Sequence, residues 1–505
     1  MIRSMPTAEK RFASKLAALT LVASKSLTSK LTAMTLMALA LAALAAPPAL
    51  AQSDEPYDVL FIAVDDLNDW VGYLHGHPQT MTPNIDRLAA RGMAFMNAQS
   101  PSALCNPVRT ALLSGLRPST SGIYGNAPDW RRVDAFQNIQ TLPRFFRDNG
   151  YRTLGSGKIF HAHTYGDGGL AGYNDTTAWD AYWPALDWQL PTELSPITKP
   201  ANHNDVTPGF DWAPLVANDH APGDGQTTDW VAQQILAETG NPRFIAAGIF
   251  RPHLPWYVPQ KYFDMHPLET IELPPYLEND LDDVPEIARK SEFSSVEMHE
   301  WITRVGRWNE GVQAYLASIS YADAMVGKLL DALDASGRAD HTIIVLWGDH
   351  GFHLGEKSRW RKSTLWARST HVPFIVVAPG VTTPGSTSNA TVSLMDIYPT
   401  LSELAGLETP SHVEGRSLVP LLENPGMQWD HPALVTYGYK NHAVVTEKYR
   451  YIRHSDGSEE LYDVVNDPNE WTNIADRPDS APIKAELAKS FPAKDATDRF
   501  QPRRR

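Results

Sequence analysis

Four short apolar runs in this chain each stop at residues that can do chemistry, and this pattern limits the fold more than any other feature. "YDVLFIAVDD" ends in Asp65-Asp66, and "GYRTLGSGKIFH" ends at Lys158 and His161. "RFIAAGIFRPH" ends at Arg251 and His253, and "HTIIVLWGDHG" ends at Asp349-His350. Continuous apolar runs of this length read as buried strands. Amphipathic stretches lie between them. "TPNIDRLAARG" places Pro83 behind a Thr82 cap and stops at Gly92, and "SYADAMVGKLLDALDASG" has apolar residues three and four apart and closes on Gly337. Strands alternating with helices predict an α/β fold with a large, mostly parallel sheet flanked by helices. Ligands of such sheets gather beyond the carboxyl ends of the strands. The four runs would then aim acids, bases and histidines at one crevice.

Two adjacent aspartates at a strand end are usually a turn and a helix cap. A second acidic cluster, Asp349-His350, repeats the pattern far away in sequence, and two such clusters suit a hard divalent cation. The imidazole of His350 leaves zinc or manganese open beside calcium and magnesium. Lys158 with His161, and Arg251 with His253, would be ordinary surface pairs elsewhere. In a crevice with a metal they could bind an oxyanion and move protons. "GEKSRWRKSTLWARSTH" then concentrates Lys357, Arg359, Arg361, Lys362 and Arg368 directly after Asp349-His350, which reads as an anion trap.

The N-terminus points to export. Residues 1–30 carry Arg3, Lys10, Arg11, Lys15, Lys25 and Lys30 against Glu9, and an apolar run then ends in Ala49-Leu50-Ala51. This is the layout of a signal peptide over 1–51, giving a periplasmic or secreted protein. Thr32, Thr35 and Pro47-Pro48 interrupt the run, which argues against a stable membrane anchor. Loss of six bases and one acid takes the net charge from −14 to −19, which argues against nucleic acid as a partner. Export makes the single cysteine, Cys105, unusual, because exported proteins use cysteines in pairs. An inert buried thiol is one reading, but its neighbours point elsewhere.

"CNPVRTALLSGLRPSTSGIYG" (105–125) resembles the signature of type I sulfatases, C-x-P-x-R followed by Leu-Ser/Thr-Gly. "AVDDLNDWVGYL", "GKIFH", "FRPHLPW", "GDHGFHLGE", "HVPFIVVAPG", "MDIYPTLSELAG" and "DPNEWTNIA" are similar, in order, to segments of the iduronate 2-sulfatase-like branch. The resemblance implies an alkaline-phosphatase-like fold and a Cys105 oxidised to formylglycine by a formylglycine-generating or anaerobic sulfatase-maturating enzyme. It implies one calcium ion held by Asp65, Asp66, Asp349, His350 and an oxygen of the modified Cys105. It also implies that Arg109 and Lys158 stabilise the aldehyde hydrate, that Lys362 clamps the sulfate, that His253 lies near the leaving oxygen, and that His161 is the later base. Val108 departs from the family, which most often has serine or alanine there.

The resemblance further implies a catalytic domain over 52–405 and a smaller C-terminal subdomain and tail over 406–505. In the latter, short β-rich runs around "SDGSEE" read as an antiparallel sheet. The expected substrate is a sulfated oligosaccharide, one that could contain a uronate, with Trp179, Trp183, Trp188 and His220 as candidate contacts. A phosphatase or phosphonate monoester hydrolase of the same superfamily, or an inactive glycan-binding relative, is the alternative.

Overall fold

The computed structural model describes residues 55–164, 170–191, 193–196, 209–238, 240–290 and 296–498. The expected leader and the "PRRR" end lie outside these residues. Strand β1 (Asp58–Val64), the first apolar run, is buried at all seven positions. It lies inside an eight-stranded sheet with β2 (Met93–Gln99), β3 (Arg152–Gly157), β4 (Ala181–Trp183), β5 (Arg243–Ile249), β6 (Thr342–Gly348), β7 (Phe374–Val377) and β8 (Ser386–Ser393). The order across the sheet is β8-β2-β7-β6-β1-β5-β3-β4. Only the short β7 runs antiparallel, pairing with β6 on one side and β2 on the other. The expected mostly parallel sheet is therefore what the chain forms.

Alternation along β1 supplies two cores. Leu60, Ile62 and Val64 pack with α1 (Pro83–Ala89), α4 (Gly223–Leu236) and α5 (Trp308–Ala335). Val59, Phe61 and Ala63 pack with α2 (Cys105–Ser114), α3 (Leu142–Asp148) and α6 (Ile397–Leu404). Each large aliphatic or aromatic side chain buried this way contributes about 1.5–3 kcal/mol, so both faces must be covered. Thr82 does not cap α1 as its sequence suggests. Its Oγ1 accepts from the Gly72 N–H at 2.8 Å, and Asp323 of α5 instead accepts from the Asn84 and Ile85 amides at 3.0 and 2.8 Å. A carboxylate from a packed neighbour outcompetes the local hydroxyl.

The C-terminal residues form an antiparallel meander of β9 (Ala433–Thr436), β10 (His442–Val445), β11 (Tyr449–Arg453) and β12 (Glu459–Asp463). One face packs on Leu365 and Trp366, and the other on Ala475 and Leu487. The end of β9 is stitched to the segment before α2: Thr436 bridges Ser102, and its N–H donates to the Pro101 carbonyl at 2.9 Å. Among the described residues no helix is long and apolar enough to cross a membrane.

Candidate active site

The four apolar runs are four neighbouring strands, in the order β6-β1-β5-β3. Their register is level: Val64 pairs with both Gly348 and Ile249, and Gly157 pairs with Gly248. Asp65-Asp66, Asp349-His350, Lys158 and the loop carrying His253 therefore leave the sheet together. Two turns need special backbone. Asp66 has φ +59, and Gly157 has φ +81, where an added Cβ would stand 2.0 Å from the Gly248 carbonyl oxygen. Cys105 arrives from another direction as the first residue of α2. All ten residues of that helix are buried, and Gly115 ends it at φ +77. Val108 faces the core on this helix, where an apolar side chain belongs.

Contacts knit these residues into one cluster. Arg109, one turn beyond Cys105, donates through Nε to Asp349 Oδ2 at 2.8 Å and through Nη2 to Asp65 Oδ1 at 3.2 Å. Its Nη1 reaches the Lys158 and Ile159 carbonyls. Lys158 Nζ pairs with Asp65 Oδ2, and Lys362 Nζ lies 2.5 Å from Asp66 Oδ1. His350 Nε2 lies 3.1 Å from Cys105 Sγ and 3.5 Å from Asp66 Oδ1. His161 is buried and lies beside the Cys105 thiol, favouring its ionised form. His253 is half-buried and stacks on Phe250 with ring centres 4.6 Å apart. All ten expected residues thus meet at one place.

The electrostatics are those of a trap for negative charge. Burial alone would raise the Cys105 thiol, but Lys158, Lys362 and His350, with His161 alongside, bring it well below its ordinary value. Its place at a helix N-terminus works in the same direction. Burial would likewise raise the Asp65 carboxyl, yet Lys158, Arg109 and His253 hold it well below the usual range. His350 is pushed up to about 9 by Asp349 and Cys105 against the pull of burial. Ligand atoms of Asp65, Cys105, Asp349 and His350 lie within 4.8 Å of one another, as do those of Asp65, Asp66, Cys105 and His253. Asp66 Oδ2 is buried without a hydrogen-bond partner among the described residues. An ionised oxygen in that state is costly, and a divalent cation would satisfy it. The donor set fits a metal.

Other expectations fail. The basic segment is mostly structural: Lys357 pairs with Asp280 at 2.9 Å, Arg368 with Asp69 and Glu356, and Arg359 donates to the Ala288 carbonyl at 3.1 Å. Only Lys362 of that segment reaches into the cluster, with the Arg361 charge also felt at Asp66. Arg251 is buried against Glu193 at 3.1 Å. Trp179 packs on Tyr182 and Phe244 in the core, and His220 sits at the surface paired with Asp229 at 2.8 Å. Two supports escape sequence reading. The Tyr315 hydroxyl of α5 donates to the Asp66 carbonyl at 2.7 Å. The Asp224 carboxylate of α4 accepts from the Phe250 and Arg251 amides at 2.6 and 2.9 Å, fixing the loop that carries His253. Both sit on helices that look like ordinary packing segments.

The family profile described as Sulfatase matches residues 57–407. This chain belongs to the sulfatase family. It is a sulfuric ester hydrolase with the alkaline-phosphatase-like fold. The C-terminal profile of N-sulphoglucosamine sulphohydrolase matches residues 355–496. A sulfatase of Formosa agariphila is 41% identical over 434 residues, covering 84% of this chain and 83% of that protein. Human iduronate 2-sulfatase is 32% identical over 394 residues, covering 70% of each. Among solved structures, a complex with D-glucosamine-2-N,6-O-disulfate superposes with a TM-score of 0.66 at 22% identity, covering 86% of this chain and 96% of that one. The phosphonate monoester hydrolase of Agrobacterium radiobacter superposes with a TM-score of 0.69 at 20% identity, covering 86% and 94%. At these identities the two structures speak for the fold.

Proposed function

We propose that this sulfatase is an exported enzyme that removes sulfate from carbohydrates, with Cys105 matured to formylglycine as the nucleophile. The observation that carries the reading is the position of the lone thiol. It stands at a helix N-terminus inside a buried cluster of three acids and three bases, with His350 Nε2 at 3.1 Å. An inert packing thiol has no use for such surroundings. The names of the relatives, iduronate 2-sulfatase among them, support a sulfated sugar as substrate. The signal-like leader supports export.

Asp65, Asp66, Asp349 and His350, with an oxygen of the matured Cys105, would hold one calcium ion, which would neutralise sulfuryl oxygens. The matured side chain supplies two hydroxyls: one attacks sulfur, and loss of a proton from the other expels sulfate and restores the aldehyde. Lys158 and Lys362 flank this position and grip the sulfate oxygens. Arg109 locks Asp65 and Asp349 in place. His253, the most accessible member, protonates the departing sugar oxygen, and His161 takes the proton of the second hydroxyl. The catalytic residues fall in 52–405, and the C-terminal subdomain is tied beside them where Thr436 meets Pro101 and Ser102.

The test is the mass of the tryptic peptide 92–109 from protein expressed with a maturation enzyme, together with release of sulfate from sulfated oligosaccharides. An aldehyde at residue 105 and sulfate release are expected. An unmodified thiol, in a host that converts a control sulfatase, would sink the reading. It would bring phosphate and phosphonate esters forward.

A further inference from the structure

Resting on that reading, we propose that the cavity beside the thiol helix takes a pyranose whose only charge is the sulfate ester, in contrast to a sulfated uronate. The cavity has a volume of about 620 Å³, within the range of about 300–1,000 Å³ usual for small-ligand sites. None of the ten site residues lines it, but two of its lining residues are their neighbours in the chain. Leu104 precedes Cys105, and Ser363 follows Lys362.

Two of its walls are fixed to the thiol helix. On one side, Asn126 Oδ1 accepts from the Asn106 N–H at 3.0 Å, while Asn106 Nδ2 donates to the Gly125 and Pro128 carbonyls at 3.0 and 2.9 Å. The loop 124–128 is thereby clamped to the first turn of α2. On the other side, Thr436 is stitched to Pro101 and Ser102, so the β9–β10 turn with Tyr437 and Asn441 hangs over the same opening. A sugar with its sulfate at Cys105 would extend between these walls.

The chemistry of the lining selects the sugar. Tyr124 and Leu365 offer apolar edges to the C–H face of a ring, with Trp366 and Ile452 buried behind them. Glu460 is fully buried and committed, accepting from Trp366 Nε1 at 2.8 Å, His454 Nε2 at 2.7 Å and the Tyr462 hydroxyl at 2.5 Å. Lys290 is an exposed residue paired with Glu286, and Asp498 adds a further negative charge. The described lining contains no arginine, and both of its potential cations, Lys290 and His454, already face carboxylates. Among the described residues, a uronate carboxylate entering here would lose its water and gain no new cation, which disfavours it. A neutral ring keeps its hydroxyls for the Asn441 amide and Tyr437.

The experiment compares kcat/KM of the matured enzyme on three esters: a monosulfated neutral hexose disaccharide, a 2-sulfated uronate disaccharide, and 4-methylumbelliferyl sulfate. The neutral sugar is expected to exceed the uronate by at least about tenfold. Tyr437→Ala is expected to lower the ratio of neutral-sugar to aryl-ester kcat/KM by about tenfold, chiefly through KM. Preference for the uronate overturns the proposal, and that comparison needs no variant. A Tyr437→Ala ratio equal to that of the parent also overturns it, as does turnover of the aryl ester with neither sugar. Failure on all three esters by protein with a verified aldehyde overturns the sulfatase reading itself.

Discussion

Arg109 is the residue on which the cluster depends most. It is fully buried, and Asp65 and Asp349 are each held by it. Arg109→Met would leave two buried carboxylates short of a partner, so a stability loss of about 3–5 kcal/mol is expected, read by chemical denaturation alongside loss of activity. A loss below about 1 kcal/mol would mean that Lys158 alone balances Asp65. Buried histidines act in another pH range. Burial, helped by His77, lowers His266 from 6.5 to about 4, and burial alone lowers His299 from 6.5 to about 4. Between those values the unfolded chain takes up protons that the folded chain refuses. Stability is therefore complete above about pH 6.5 and falls as the pH drops towards 4. The melting temperature should decrease from pH 7 to pH 5, and His266→Gln should flatten that decrease. Single residues at strand ends were legible because an apolar run that stops at Asp65-Asp66 or Asp349-His350 leaves few roles for the acids. Arg368 was misread in the same sequence, because a run of bases does not reveal that Asp69 and Glu356 wait to pair with it.

At the level of elements, the strand ends work because glycine lets the chain turn where a side chain could not fit. Gly157 closes β3 with φ +81, and its missing Cβ leaves room for the Gly248 carbonyl. Gly157→Ala should move Lys158 away from Asp65. Sulfate release is expected to fall by about 100-fold or more, with a stability cost of about 1–2 kcal/mol or greater. Near-normal kcat would show that Lys158 is not held by this turn. The parallel order of the sheet was readable from the alternation of strands and helices. The antiparallel β7 was not, since "HVPFIVVAPG" carries the same apolar signature in either direction. Tyr315 and Asp224 were equally hidden: each lies on a long helix whose pattern reports only which face is buried, while the contact that matters crosses to a distant strand end.

Across the whole molecule, charge governs which substrates can approach. The chain carries a net charge of −14 at pH 7, and a long sulfated polymer would meet that field before any contact forms. Raising ionic strength from about 0.01 M to about 0.15 M shortens the screening length from about 30 Å to about 8 Å. The kcat/KM on a long sulfated polysaccharide should therefore rise with salt, while that on a monosulfated disaccharide changes much less; equal responses would exclude long-range repulsion. One feature of α2 also sets an order of events. The helix is buried from its first residue to its last, with the 124–128 loop clamped across its start and the C-terminal sheet stitched just upstream. Among the described residues, the folded chain leaves Cys105 almost wholly covered, out of reach of a second protein. If Cys105 is matured as proposed, that editing has to precede folding, and a copy that folds unedited would stay so.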